Sequence, residues 1–205
     1  MPKDTFFNLS DEKKAKIIEA SLSEFENNDY DQASINQIVL NSEISKGSFY
    51  QYFQDKKDLY KYLIQLMIDE KLKYITPVMM NPFEHSFFDV IRDMNQSGLE
   101  FARDNPQYVK IGNRLLKDTK HQIYHEIMAE GQTQAYTVYE LLLKKAIENG
   151  EVRSDIDVPF VAKLIFKLSA ELVESEANLT TDSWSDDIIS QLDKFMALIQ
   201  YGITN

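Results

Sequence analysis

The sequence predicts an all-α protein of about nine helices, on three observations. Apolar positions recur three and four residues apart nearly throughout the 205-residue chain. Runs that alternate every second residue and are rich in Val, Ile and Thr are absent, and residues of N-cap type stand just before successive periodic segments. Spacing by three and four lines one face of a helix, whereas a strand needs spacing by two.

The elements follow in order. Ser10 precedes DEKKAKIIEASLSEF, Ser34 precedes INQIVLN, Ser45 precedes KGSFYQYF, and Asp55 precedes KKDLYKYLIQLMIDEKLKYI. In each, a short side-chain oxygen is placed to accept from the free N–H groups of a first turn. Pro77 and Pro82 end the fourth helix and bracket a linker, after which an aromatic-rich helix runs toward Asn105. Asn105-Pro106 combines a cap with proline at the first helical position. A long helix from about His121 closes at Asn149-Gly150, Asp157-Val158-Pro159 opens the next, and Asp182 or Ser183 opens the last. A division near residue 55 separates three short helices, 1–55, from six longer ones, 56–205.

Composition bounds the function. A hydrophobic content of 43% supports a sizeable core, and no run of ~18 apolar residues could span a bilayer. The N-terminus MPKDTFFNLSDEKK has no apolar signal-peptide core, and the absence of cysteine removes disulfides and thiolate metal sites. A soluble, cytoplasmic protein without a membrane partner is expected. The net charge of -11 opposes any nucleic acid held through bulk charge. Residues 1–60 carry seven Lys against eleven Asp and Glu, 7 − 11 = -4, so a grip on DNA there must be local.

One stretch faces two ways: SEISKGSFYQYFQDKKDLY, residues 42–60. At 100° per residue from a cap at Ser45, Phe49 and Phe53 share the packing face, with Gly47 and Gln51 opposite and Ser48 and Tyr50 flanking them. Upstream, Ile35, Ile38 and Val39 give the preceding helix its own buried stripe, and only Ser42 to Ser45 join the two. Two helices joined by three or four residues form a helix-turn-helix, whose second helix enters the DNA major groove.

The run SINQIVLNSEISKGSFYQYFQDKKDLY, residues 34–60, resembles the N-terminal signature of TetR-family transcriptional regulators: a Ser or Thr start, a buried Ile, a turn, then Gly-Ser-aromatic-Tyr-x-x-Phe followed by Lys. The likeness is close over about residues 8–60, and the helix count extends it coarsely to the end. It implies a helix-turn-helix DNA-binding domain over 1–55 and a ligand-binding and dimerisation domain over 56–205. The implied partners are double-stranded operator DNA, a small-molecule inducer and a second copy of the chain, with repression as the family's usual mode. The implied DNA contacts are Ser34, Asn36, Gln37, Lys46, Gly47, Ser48, Tyr50, Tyr52 and Lys56. Asn36, Gln37 and Lys46 suit base edges, Ser48, Tyr50, Tyr52 and Lys56 suit phosphates, and Gly47 lets the backbone come close. Where the family usually carries glycine in the turn this chain has Glu43, which costs roughly 1 kcal/mol if its φ is positive.

Two C-terminal segments carry wide apolar stripes: Phe160, Val161, Leu164, Ile165, Leu168, Leu172 and Val173, then Trp184, Ile188, Ile189, Leu192, Phe195, Met196 and Ile199. About half must be core. The resemblance places a four-helix dimer bundle here, with Leu164, Leu168, Leu172, Leu192, Phe195 and Ile199 at its interface. In the middle helices aromatics and methionines interleave with polar residues, the mixed lining of a small-molecule site. Phe87, Ile91, Met94, Asn95, Tyr108, Tyr124 and Met128 are the candidates.

Two other function classes compete. An enzyme lacks support, since no Gly-rich phosphate loop and no serine nucleophile motif occurs. His121 and His125 have the i, i+4 spacing of metal ligands, but Gln122 stands where a zinc protease needs its glutamate. A metal-responsive regulator using these histidines with Asp118 or Glu126 is one alternative, and a helical protein-binding adaptor without a DNA role is the other. No cofactor and no metal are expected.

Overall fold

The computed structural model describes residues 1–117, 120–177 and 186–204. The helices are α1 (Asp4–Phe7), α2 (Asp11–Asn27), α3 (Ile35–Asn41), α4 (Lys46–Tyr52), α5 (Lys56–Leu72), α6 (Pro77–Met80), α7 (Phe87–Asp104), α8 (Pro106–Lys117), α9 (Gln122–Glu148), α10 (Val158–Ala177) and α11 (Asp186–Ile203), with a 3-10 turn at Pro82–Glu84. No strand occurs among the described residues. The nine expected helices are α2 to α5 and α7 to α11. The three additional pieces have four residues or fewer, too few to show a helical period. No described helix is long and apolar enough to cross a membrane.

The expected caps form at several ends. Ser10 Oγ accepts from Lys13 N at 3.4 Å, Ser45 Oγ from Ser48 N at 3.0 Å and Asp55 Oδ1 from Asp58 N at 2.8 Å. Asp157 Oδ1 likewise accepts from Phe160 N at 3.1 Å, and Gly150 (φ 76°) ends α9 in the left-handed region. Ser34 stands at the start of α3 without a side-chain cap bond; its N–H donates to Glu24 Oε1 at 2.8 Å. Asp182, Ser183 and Trp184 lie outside the described residues, as do the side chains of Val173, Ile188 and Ile189.

The chain forms two compact units. The first comprises Met1–Lys73 and Asn105–Ile127, and the second Tyr74–Asp104 and Met128–Asn205. In the first, α2 packs on α3 and α8, and α4 packs on α1 and α3. Phe6, Ile17, Phe25, Ile38, Phe49, Phe53, Leu59 and Leu63 are fully buried there. Burying one such side chain contributes on the order of 1.5–3 kcal/mol, so this cluster is what holds helices as short as α3 and α4, which are not stable alone.

In the second unit Phe87, Val90 and Ile91 of α7 meet Tyr139, Leu142 and Leu143 of α9, Ala162 and Ile165 of α10, and Leu192, Phe195, Met196 and Ile199 of α11. This corrects half of the expected dimer interface. Leu192, Phe195 and Ile199 point into their own unit's core, and Leu172 packs partly buried against it. Leu164 and Leu168 are exposed. On α11 the exposed apolar side chains are Leu198 and Tyr201, at 67% and 84%.

Candidate nucleic-acid interface

Ile38 and Val39 bury the inner face of α3, and the helix ends at Ser42, whose hydroxyl turns back onto the Ile38 carbonyl at 2.6 Å. Glu43 follows at φ 55°, with Glu43 N bonded to Leu40 O at 3.2 Å and Ile44 N to Val39 O at 3.0 Å. Those two bonds are the Schellman arrangement, which places Glu43 at the position glycine usually fills. Its carboxylate accepts from Lys16 Nζ at 3.1 Å, a bond that raises the Lys16 pKa.

On α4, Phe49 and Phe53 face the core while Lys46, Gly47, Tyr50 and Gln51 are exposed; on α3, Asn36 and Gln37 are exposed. Ser34 and Ser48 are half-buried, and the Ser48 hydroxyl lies 2.9 Å from Ser45 Oγ. A methyl group added at Gly47 would meet only Ser45 Oγ, at 3.7 Å. The protein itself has room for alanine there, although glycine inside a helix is less stable by roughly 0.5–1 kcal/mol.

Two expected phosphate contacts are corrected. Tyr52 is only 6% exposed, its ring edge-on to Phe6 at 6.3 Å, because the segment before α2 folds over it. Lys56 turns inward: Nζ donates to the carbonyls of Tyr30, Asp31 and Ala33 at 2.6, 3.1 and 2.9 Å and lies 4.7 Å from the centre of the Tyr30 ring. Its charge serves the loop that leads into α3.

That loop has further ties within the first unit that the sequence did not suggest. Arg114 Nε donates to Glu26 O at 3.1 Å, and its Nη1 pairs with Asp29 at 2.5 Å. His121 Nε2 lies 3.1 Å from Asp31 Oδ1, while its Nδ1 accepts from Ile123 N at 3.0 Å. That acceptor bond fixes the tautomer, so Nε2 carries the proton toward Asp31. Burial pushes the Tyr30 phenol up to about 12, with Asp55, Asp31 and Glu126 adding to it. A bond from Lys61 lowers the Glu126 pKa, with Nζ at 2.8 Å, and Lys57 approaches the same carboxylate at 3.3 Å.

Most lysines near the reading helix are therefore occupied. Lys3 donates to Tyr50 O, Lys14 pairs with Asp11 and Lys16 with Glu43. The ammonium groups of Lys13 and Lys46 are left without a hydrogen bond or ion pair among the described residues. Two exposed helices joined by a tight turn, a neutral polar face and a free lysine at the start of the second helix suit a DNA groove better than bulk charge would.

Comparison with known proteins agrees. Residues 17–63 match the model for bacterial regulatory proteins of the tetR family. A TetR family transcriptional regulator from Chloroflexus aurantiacus J-10-FL superposes with a TM-score of 0.81 at 28% identity, over 100% of this chain and 99% of that one. Over residues 17–63 and in its fold the chain is similar to TetR-family regulators. An HTH-type transcriptional regulator of Staphylococcus aureus (strain USA300) is 27% identical over 119 residues, 57% of this chain, and the match spans 63% of that relative's length. FadR from Bacillus subtilis, solved in complex with stearoyl-CoA, shares the fold with a TM-score of 0.70 at 16% identity, over 92% of this chain and 98% of that one.

In this chain the seven candidate ligand residues are divided between the units. Tyr108 and Tyr124 lie in the first; Phe87, Ile91, Met94, Asn95 and Met128 lie in the second. Phe87 and Ile91 are core, and Met94 packs against that core. Asn95 is buried on α7 with Nδ2 bonded to Ile91 O at 2.8 Å and Oδ1 without a partner. Burial raises the Tyr108 pKa. Of the metal-site candidates, His121 is engaged by Asp31 and Glu126 by Lys61, and Asp118 lies outside the described residues. No group of three His, Asp or Glu placed to hold a metal occurs among the described residues.

Proposed function

We propose that this chain is a sequence-specific transcriptional regulator, a repressor that binds a palindromic operator as a homodimer and is released by a small, mostly apolar ligand. The observation that carries the DNA reading is Gly47. The fold leaves space for a side chain at this exposed helical position, and the sequence leaves it bare, as close approach by an outside backbone requires. Lys46, Asn36 and Gln37 are assigned to base edges, and Tyr50, Ser48 and Ser34 to phosphate or sugar. No arginine precedes Arg92, so the reading region lacks the guanidinium fork of the commonest guanine contact; Lys46 could still reach guanine, but Asn36, Gln37 and Gln51 favour adenine. The half-site therefore leans toward A·T pairs.

Dimerisation is supported by the exposed stripe Phe160, Leu164 and Leu168 on α10 together with Leu198 and Tyr201 on α11. An inducer in the second unit is supported by the buried, unpartnered Oδ1 of Asn95 on α7, the helix that also carries the core residues Val90 and Ile91. The test is capture of genomic fragments from the source organism by the purified protein, followed by sequencing. Recovery of A·T-leaning palindromes supports the reading, and recovery of no specific fragment at modest salt supports the adaptor instead.

A further inference from the structure

The reading helix α4 has only seven residues and leaves its last carbonyls without intrahelical partners. The usual solution is a left-handed residue that folds the following N–H groups back. Phe53 does not adopt it: its backbone is extended (φ -125°, ψ 149°), and its N–H satisfies only the Phe49 carbonyl, at 2.9 Å. The carbonyls of Tyr50, Gln51 and Tyr52 are satisfied by a segment about 47 residues upstream. Lys3 Nζ donates to Tyr50 O at 2.7 Å, the Thr5 hydroxyl donates to Gln51 O, and Lys3 N donates to Tyr52 O at 2.8 Å. The segment is itself anchored. Phe6 is fully buried, with ring centres 5.0 Å from Phe53 and 5.4 Å from Tyr62, and its N–H bonds back to Lys3 O at 2.9 Å.

We propose that Lys3 to Phe6 form a positioning arm that completes the C-terminal cap of α4 in trans of sequence, so that DNA affinity depends on residues that contact no base. Three consecutive carbonyls met by two neighbouring residues fix the half of α4 that presents Tyr50 and Gln51. The Lys3 ammonium also stands at the negative end of that helix, where the unsatisfied carbonyls would otherwise face incoming phosphate. This inference rests on the DNA-binding reading for its consequence, but not for its geometry.

The test uses the full chain with Lys3→Met/Thr5→Val, which removes both side-chain donors and keeps Phe6 and the Lys3 backbone bond. Amide hydrogen exchange at Tyr50 to Phe53, thermal melting, and affinity for a captured genomic fragment as a function of salt are measured together. The expected result is exchange at least tenfold faster at those amides, affinity at least tenfold weaker and a salt slope equal to wild type, with Lys3→Arg/Thr5→Ser restoring both. Exchange and affinity within twofold of wild type overturn the proposal. A salt slope shallower by about one per subunit overturns it differently, making Lys3 a phosphate contact. Wild-type protein that captures no DNA overturns the regulatory reading and the arm's role in binding, while exchange still decides whether the cap exists.

Discussion

Lys56 Nζ donates to the Ala33 carbonyl at 2.9 Å, tying the first residue of α5 to the loop that ends where α3 begins. With the carbonyls of Tyr30 and Asp31 also served, one ammonium satisfies three backbone acceptors. Charge-assisted bonds contribute about 1.5–3 kcal/mol where their loss strands a partner. Lys56→Ala is therefore expected to lower stability by about 2 kcal/mol and to weaken DNA binding mainly through displacement of α3. Lys46→Ala should leave melting unchanged and weaken binding directly. Thermal melts and fragment-binding isotherms on the two variants separate these effects.

Salt dependence follows from the same correction. With Lys56 turned inward, Lys46 is the free cation on the reading helix, and a dimer bringing two such charges into the groove displaces about two counterions, for a log–log salt slope of about -2. If the unpaired Lys13 also reaches a phosphate the slope is about -4, and Lys13→Ala should then reduce it by about 2. Titrating affinity against potassium chloride for wild type and both single variants assigns each lysine.

Gly47→Ala should stabilise the free protein by roughly 0.5–1 kcal/mol, because a methyl group there meets no side chain closer than Ser45 Oγ at 3.7 Å. The same methyl should weaken fragment binding by tenfold or more if DNA backbone comes close at this point. A variant that melts higher and binds as well as wild type would remove the observation on which the DNA assignment rests.

Glu43→Gly relieves a left-handed conformation worth about 1 kcal/mol and loses only an exposed, solvent-screened ion pair to Lys16, so melting should rise slightly or stay level. Its larger effect should be on binding. Freeing Lys16 and deleting an anion beside the reading helix should tighten DNA and steepen the salt slope by up to about 2 per dimer.

Burial holds the Tyr30 phenol at about 12, above its ordinary value near 10. The unfolded chain then loses this proton first, so Tyr30 contributes stability that is full below pH 10 and is lost as pH rises through 12. Ultraviolet titration should show one phenol fewer in the latest-titrating group of Tyr30→Phe than in wild type. The loss of stability between pH 10 and 12 should be shallower in that variant.

The nine longer helices were legible because their caps and apolar spacing are local. Three helical pieces were not, since Asp4–Phe7, Pro77–Met80 and Pro82–Glu84 are shorter than the repeat that would betray them. The candidate site divided along the same line. Gly47, Tyr50 and the inward Phe49 and Phe53 follow from rotation about one short helix. The directions of Tyr52 and Lys56 depend on Phe6 and on the carbonyls of residues 30–33, partners set by tertiary folding. Even Glu43, whose left-handed φ the motif anticipated, found a compensating Lys16 that lies 27 residues upstream.

The C-terminal helix tests the dimer most sharply, because it carries two apolar faces and the sequence does not say which is inside. Leu192, Phe195 and Ile199 pack with Ile91 and Ile165 in the core of the second unit, whereas Leu198 and Tyr201 face outward with Leu164 and Leu168 also exposed. A charge placed on the inner face has no partner and costs several kcal/mol, so Phe195→Glu should unfold the second unit. A charge on the outer face meets water in the monomer, so Leu198→Glu should leave helicity intact while opposing two copies across the proposed bundle. Sedimentation should then show folded monomers for Leu198→Glu and Leu168→Glu, with fragment affinity reduced because each monomer grips only one half-site. A Leu198→Glu protein that sediments as a dimer and binds DNA as wild type does would place the contact between copies elsewhere on the chain.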